Sequence, residues 1–135
     1  MRRILFSLLV LSALGPVAAH AQSNAAYIEQ IGNHNEVTVS QDGFGHWIKT
    51  YQDGTKNEIV AKQSGDPFRA TITQQGQQNF VNYNQVSGNA VITQHGQGHK
   101  ASVVSNVPLP PGAQPITVTQ FGNRGEVKVV TTATR

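Results

Sequence analysis

Apolar and polar residues alternate with a period of two along most of the chain after residue 24, and glycine interrupts the alternation at regular intervals. In the stretch from Asn35 to Gln41, one parity holds Asn35, Val37, Val39 and Gln41, while the other holds Glu36, Thr38 and Ser40. Asn57, Ile59, Ala61 and Gln63 repeat the first parity, and so do Phe68, Ala70, Ile72 and Gln74. Strict alternation with β-branched residues predicts strands with one buried face. No stretch of this part of the chain has the 3.6-residue spacing of an amphipathic helix, so the pattern predicts an all-β fold.

The glutamines of the buried parity keep a fixed spacing. Gln30, Gln41, Gln52, Gln63, Gln74 and Gln85 follow one another at eleven residues. Two positions after each of the first five come Gly32, Gly43, Gly54, Gly65 and Gly76, and five positions after come Asn35, Asn57 and Asn79 in every second unit. The unit is Gln-x-Gly-x-x-Asn followed by a short strand. Its glycines are expected in turns, where positive φ is tolerated. Repetition at this regularity implies stacked units, each unable to bury its apolar face alone.

The phase shifts twice. Gln94 follows Gln85 by nine residues, which predicts a turn shortened by two at Val86–Ser87. Gly96 and His99 restore the pattern, His99 in place of asparagine, but Ser105 occupies the next glutamine position, and 106–113, with Pro108, Pro110 and Pro111, adds about four residues. Proline cannot donate to a ladder, so this segment is expected to loop out of the stack. Gln120 and Gly122 resume the unit, and Thr131 closes the last one. The expectation is a β-solenoid of five two-stranded rungs, at about 24–45, 46–67, 68–87, 88–113 and 114–135.

Alternate units fall on opposite sheets, which aligns like with like. One sheet carries Gln30, Gln52, Gln74, Gln94 and Gln120 in a column, flanked by Ile28, Thr50, Ile72, Ile92 and Val118. The other carries Gln41, Gln63 and Gln85 before the column fails at Ser105 and Thr131. A buried amide is costly unless paired, and a column of amides pairs each with the rungs above and below, as in cross-β Gln/Asn ladders. Asn35, Asn57 and Asn79 are expected to do the same at the corner. At about 4.8 Å per rung, five rungs rise roughly 24 Å. The open ends of such a stack invite end-to-end growth unless capped by charge or proline. The expected first strand begins only two residues after the expected start of the mature chain, so self-assembly itself becomes the candidate function.

The N-terminus supplies that start. Met1-Arg2-Arg3 is basic, Ile4 to Leu14 is an apolar run, and Ala19-His20-Ala21 is a small-x-small cleavage pattern. Residues 1–21 are therefore expected to be a signal peptide, too short to span a membrane, and 22–135 the secreted chain. Of ten Lys and Arg, losing Arg2 and Arg3 leaves eight against seven acids, so the exported charge is near +1 rather than the formal +3. That is not the basic footprint of a nucleic-acid binder. The chain has no cysteine, so disulfides cannot hold it together.

The repeat Gln30-Ile-Gly32-Asn-His-Asn35-Glu-Val37, with another glutamine eleven residues after the first, resembles the curlin repeat of bacterial curli subunits. The resemblance extends over residues 24–131. It implies an amyloid-forming cross-β solenoid, secreted as an extracellular, cell-surface fibre of a Gram-negative bacterium, with roles in biofilm matrix and adhesion. It also implies as partners the chain itself, a second curlin subunit, a periplasmic chaperone and an outer-membrane secretion channel. Members commonly carry an addressing stretch of about twenty residues before the first repeat, and here almost none is expected. The family has a major and a nucleating subunit. Arg124, Lys128 and Arg135 against Glu126 make the last unit basic, which leans toward the nucleator and leaves both types open.

Other chemistries fit less well. His95 and His99 have a four-residue spacing that shares a face only on a helix, and here it spans a turn, so no metal or other cofactor is expected. Asp42, Asp53 and Asp66 lie near turn glycines without the Gly-Gly-x-Gly-x-Asp calcium pattern. Glu29, Glu36, Glu58 and Glu126 fall on the outward parity, where they form no catalytic groove, so no enzyme is expected. The alternative is a non-polymerising secreted solenoid of adhesin or ice-binding type. Outward Thr71 and Thr73, and Thr117 and Thr119, suit an ice-binding face, but Tyr27, Glu29, Lys49 and Tyr51 interrupt it.

Overall fold

The computed structural model describes residues 24–65, 67–86, 88–107 and 113–131. The expected signal peptide, Asp66, Ser87 and the prolines at 108, 110 and 111 lie outside them. The described chain is all β, in ten strands. They are β1 (Ala25–Asn33), β2 (Glu36–Gly43), β3 (Trp47–Thr55), β4 (Glu58–Gly65), β5 (Arg69–Gln77), β6 (Phe80–Gln85), β7 (Ala90–Gln97), β8 (Lys100–Ser105), β9 (Ile116–Asn123) and β10 (Glu126–Thr131). Odd strands form one parallel sheet in the order β1-β3-β5-β7-β9, and even strands the other, β10-β8-β6-β4-β2. Each consecutive pair is one turn of a parallel β-solenoid.

Register follows the repeat. Gln30 lies opposite Gln52, Gln52 opposite Gln74, Gln74 opposite Gln94 and Gln94 opposite Gln120. Gln41, Gln63, Gln85, Ser105 and Thr131 align likewise in the second sheet. The partner offset is 22 residues between the first three rungs, falls to 20 between rungs three and four, and rises to 26 before rung five. The solenoid thus absorbs the shortened turn and the inserted segment at its corners and keeps side-chain parity unbroken. A slip of one residue would turn every buried glutamine outward.

The core is thin. Ile48, Ile59, Ile72, Val81, Tyr83, Ile92 and Val103 are fully buried between the sheets, with Ala61, Ala70, Ala90 and Ala101 filling the narrower places. Gln52, Gln63, Gln74, Gln85 and Gln94 are equally buried. The apolar layer is flanked by polar columns, so stability depends on those columns being satisfied.

The turn glycines are placed differently from the expectation. Gly32, Gly43, Gly54, Gly65, Gly76, Gly96 and Gly122 lie within strands that stay paired to the neighbouring rung, rather than in loops between strands. Their φ is positive, 93° to 129°. In the first sheet a Cβ on Gly32, Gly54, Gly76 or Gly96 would run into the carbonyl of the glycine one rung on. The column therefore needs glycine for close approach as well as for φ. The left-handed residues proper come two positions later, at His34, Lys56, Gln78, Gly98 and Arg124, with φ from 55° to 71°.

Candidate functional site: the amide ladders

The inward parity of β1, β3, β5, β7 and β9 sets five glutamine side chains in line. Gln30 Nε2 donates to Gln52 Oε1 at 2.7 Å, Gln52 to Gln74 at 2.8 Å, Gln74 to Gln94 at 2.9 Å and Gln94 to Gln120 at 2.8 Å. The second amide hydrogen of Gln52, Gln74, Gln94 and Gln120 goes to a backbone carbonyl of the second sheet, at Glu36, Glu58, Phe80 and Lys100 respectively, at 3.0–3.2 Å. Gln52, Gln74 and Gln94 thus each link their own rung to the next and tie the two sheets together. All four ladder bonds point the same way, from the β1 end toward the β9 end.

The second-sheet column is not continuous. Gln41 Nε2 donates to Gln63 Oε1 at 2.8 Å, but Gln63 Nε2 is buried and finds no acceptor, so its bond to Gln85 is missing although the two residues are in register. The gap lies beside Tyr83, the largest fully buried side chain, which stands in register between Ala61 and Val103. Burial raises the pKa of the Tyr83 hydroxyl, with the Gln63 amide opposing in part. That hydroxyl has no partner at hydrogen-bonding geometry.

A third column runs up one corner. Asn35 Nδ2 donates to Ile31 O (2.8 Å) and Gly54 O (3.2 Å), while Asn35 Oδ1 accepts the Asn57 N–H at 3.1 Å. Asn57 and Asn79 repeat this with Gly76 and Gly96. His99 continues the column with a ring in place of the amide: it faces His95 O (3.1 Å) and Gly122 O (2.9 Å) through Nε2, and its Nδ1 accepts the Gly125 N–H at 3.0 Å. Two carbonyls at Nε2 and an N–H at Nδ1 fix the neutral tautomer with its proton on Nε2. At the opposite corner Asn24 Oδ1 accepts the His46 N–H at 3.0 Å, and the His46 ring meets Phe68 edge-on.

The repeat spacing brings together all eleven predicted ladder residues, but into three columns with different completeness. Sequence reasoning had His99 in the place of asparagine but missed the left-handed residues before each corner. Gly98, in the place held elsewhere by His34, Lys56, Gln78 and Arg124, was the available signal for the latter. Among the described residues, no three His, Asp or Glu side chains gather as a metal site. On the outer face Thr73, Thr93 and Thr119 align over the last three rungs, while Glu29 and Tyr51 hold that column in the first two.

A parallel two-sheet solenoid with amide columns defines a class of repeat protein whose ordered core consists of its stacking contacts. Comparison with protein families matches residues 20–43 to the curlin associated repeat. The match covers the first rung, and the later rungs repeat that unit in register. Neither the curated proteins nor the solved structures gave a match.

Proposed function

We propose that the chain is a structural subunit of an extracellular curli-like amyloid fibre, exported after loss of residues 1–21, and that its stacked Gln and Asn columns drive assembly. The observation that carries this reading is the unbroken glutamine ladder from Gln30 to Gln120, which repeats one bonding geometry from rung to rung and leaves an amide acceptor at one end and an amide donor at the other. A curlin repeat and an all-β solenoid support a structural role over a catalytic one. Roles in biofilm matrix and surface adhesion, and partnership with a second curlin subunit, a chaperone and a secretion channel, follow from the family resemblance. The chain from Gln22 to Arg135 should form fibres with reflections near ~4.8 and ~10 Å. A monomer that persists at high concentration sinks the proposal.

A further inference from the structure

The two ends of the stack present different groups. At the β1/β2 end, Gln30 and Gln41 donate inward to Gln52 and Gln63, and among the described residues nothing donates to their own Oε1 atoms. The Asn35 N–H occupies the place from which the N–H groups of Asn57, Asn79 and His99 each donate to the asparagine of the preceding rung. This end therefore calls for two amide donors and one amide acceptor.

The β9/β10 end meets one of those three needs. Gln120 continues the first ladder, so its Nε2 stands where Gln94 Nε2 donates onward. The second column ends in Thr131 under Ser105, whose side chains are too short to reach across a rung as an amide does. The corner column ends in Gly125. That glycine is a consequence of His99: a Cβ at 125 would stand 2.9 Å from His99 Nδ1 and 3.1 Å from Gln120 Nε2. The imidazole reproduces both hydrogen-bonding roles of asparagine while filling the space the next side chain would use. The ladder ends there with its last member satisfied.

We infer that His99, Gly125 and Thr131 make the β9/β10 edge a ladder stop. The β1/β2 edge is the docking surface, and the partner it fits is a curlin-repeat rung carrying Gln, Asn and Gln where this chain carries Gln120, Gly125 and Thr131. Its own last rung is the poorer match, and fibres of this chain alone have a correspondingly high threshold concentration. This inference rests on the assembly reading above.

The triple variant H99N/G125N/T131Q supplies such a rung on the same scaffold. Each restored bond is worth about fivefold, so its fibres should persist at a threshold at least about tenfold lower than those of the unaltered chain. Unaltered monomer, below its own threshold, should add to triple-variant seeds. Equal thresholds, or no capture by the seeds, overturn the inference. Should the triple variant not fold, Gln30→Thr and Gln41→Thr provide the decision, because each loses its bond to the next rung, Gln41 with a long 3.4 Å contact to Ala25 O besides, but only Gln30 has a donor across the junction. Gln30→Thr should raise the threshold about fivefold more than Gln41→Thr; equal effects overturn the inference. Fibres with equal thresholds defeat this inference alone, whereas no fibres from any chain defeat the assembly reading with it.

Discussion

The two sheets are built from the same repeat, yet only one uses it in full. In the sheet of odd-numbered strands, five glutamines make four consecutive ladder bonds, and the glycines beyond them approach so closely that no side chain fits. In the sheet of even-numbered strands one ladder bond, Gln41 to Gln63, is formed before Tyr83 fills the space between alanine and valine, and the column ends in Ser105 and Thr131. The glycines differ in degree: a Cβ on Gly43 would stand 3.0 Å from Gly65 O and from His46 Nε2, and one on Gly65 would stand 2.5 Å from Val86 O. Regular repetition therefore does not imply equal energetics. One sheet sets the rise of the solenoid, and the other accommodates departures such as a bulky core residue or a missing amide.

The sharpest way to break this contrast is to add one methyl group to each sheet. Gly76 and Gly43 have nearly the same φ, 116° and 115°, so alanine meets the same backbone strain at both. Only at Gly76 would the new Cβ enter a neighbouring carbonyl, that of Gly96. Gly76→Ala should abolish the solenoid or cost more than about 4 kcal/mol, from strain of about 1–3 kcal/mol plus overpacking. Gly43→Ala should cost about 1–3 kcal/mol, mostly the strain, with Gly65 O and His46 Nε2 giving way slightly around the new Cβ. Guanidinium midpoints for the two variants measure the difference, and equal losses would remove the distinction between the sheets.

This pair also marks how far the sequence was legible. The glutamine spacing, with its two phase shifts, was enough to place the strands on two sheets and the glutamines on their inward parity, because a side chain on the wrong parity would leave a buried amide unpaired. The glycines were read as loop residues, since the sequence spacing carries their conformation but not the distance between rungs. The break after Gln63 was also invisible: Gln63 and Gln85 keep the spacing and the register, and only the geometry of the Gln63 amide, buried without an acceptor beside Tyr83, separates column from ladder. His99 was legible as a substitute for asparagine. That its ring forces Gly125 depends on geometry no spacing reports.

A substitution within each glutamine column gives a smaller and more specific test. Replacing Gln74 by leucine keeps the volume but removes the acceptor of Gln52, the donor to Gln94 and the bond to Glu58 O. The orphaned buried partners make a loss of about 2–4 kcal/mol the expected result. Gln63→Leu removes one formed bond, from Gln41, and at the same time removes a donor that is already unsatisfied. Its cost should be within about 1 kcal/mol of zero. Fibre dissolution in guanidinium, read at matched protein concentration, separates the two; a Gln63 variant as damaging as the Gln74 variant would mean that the second column bears the same load as the first.

The smallest effect, and the one most specific to the second sheet, belongs to Tyr83. Its hydroxyl is buried without a partner, so Tyr83→Phe removes a desolvated polar group and should be neutral or stabilising by about 1 kcal/mol at neutral pH. Alkali should separate the two chains further. Burial holds the Tyr83 hydroxyl protonated above the pH at which the unfolded chain loses that proton, near ~10. The unfolded state therefore binds fewer protons above that pH, and stability falls as pH rises, by about 1.4 kcal/mol per unit from this residue. Tyr51, whose pKa is raised by partial burial and by the Asp53 and Glu29 carboxylates, leaves a residual slope of the same sign in both chains. Unfolding midpoints measured between pH 9 and 12 should therefore fall more steeply for the unaltered chain than for Tyr83→Phe. Parallel curves would place the hydroxyl in contact with water or a partner and remove the unpartnered buried group from the second sheet.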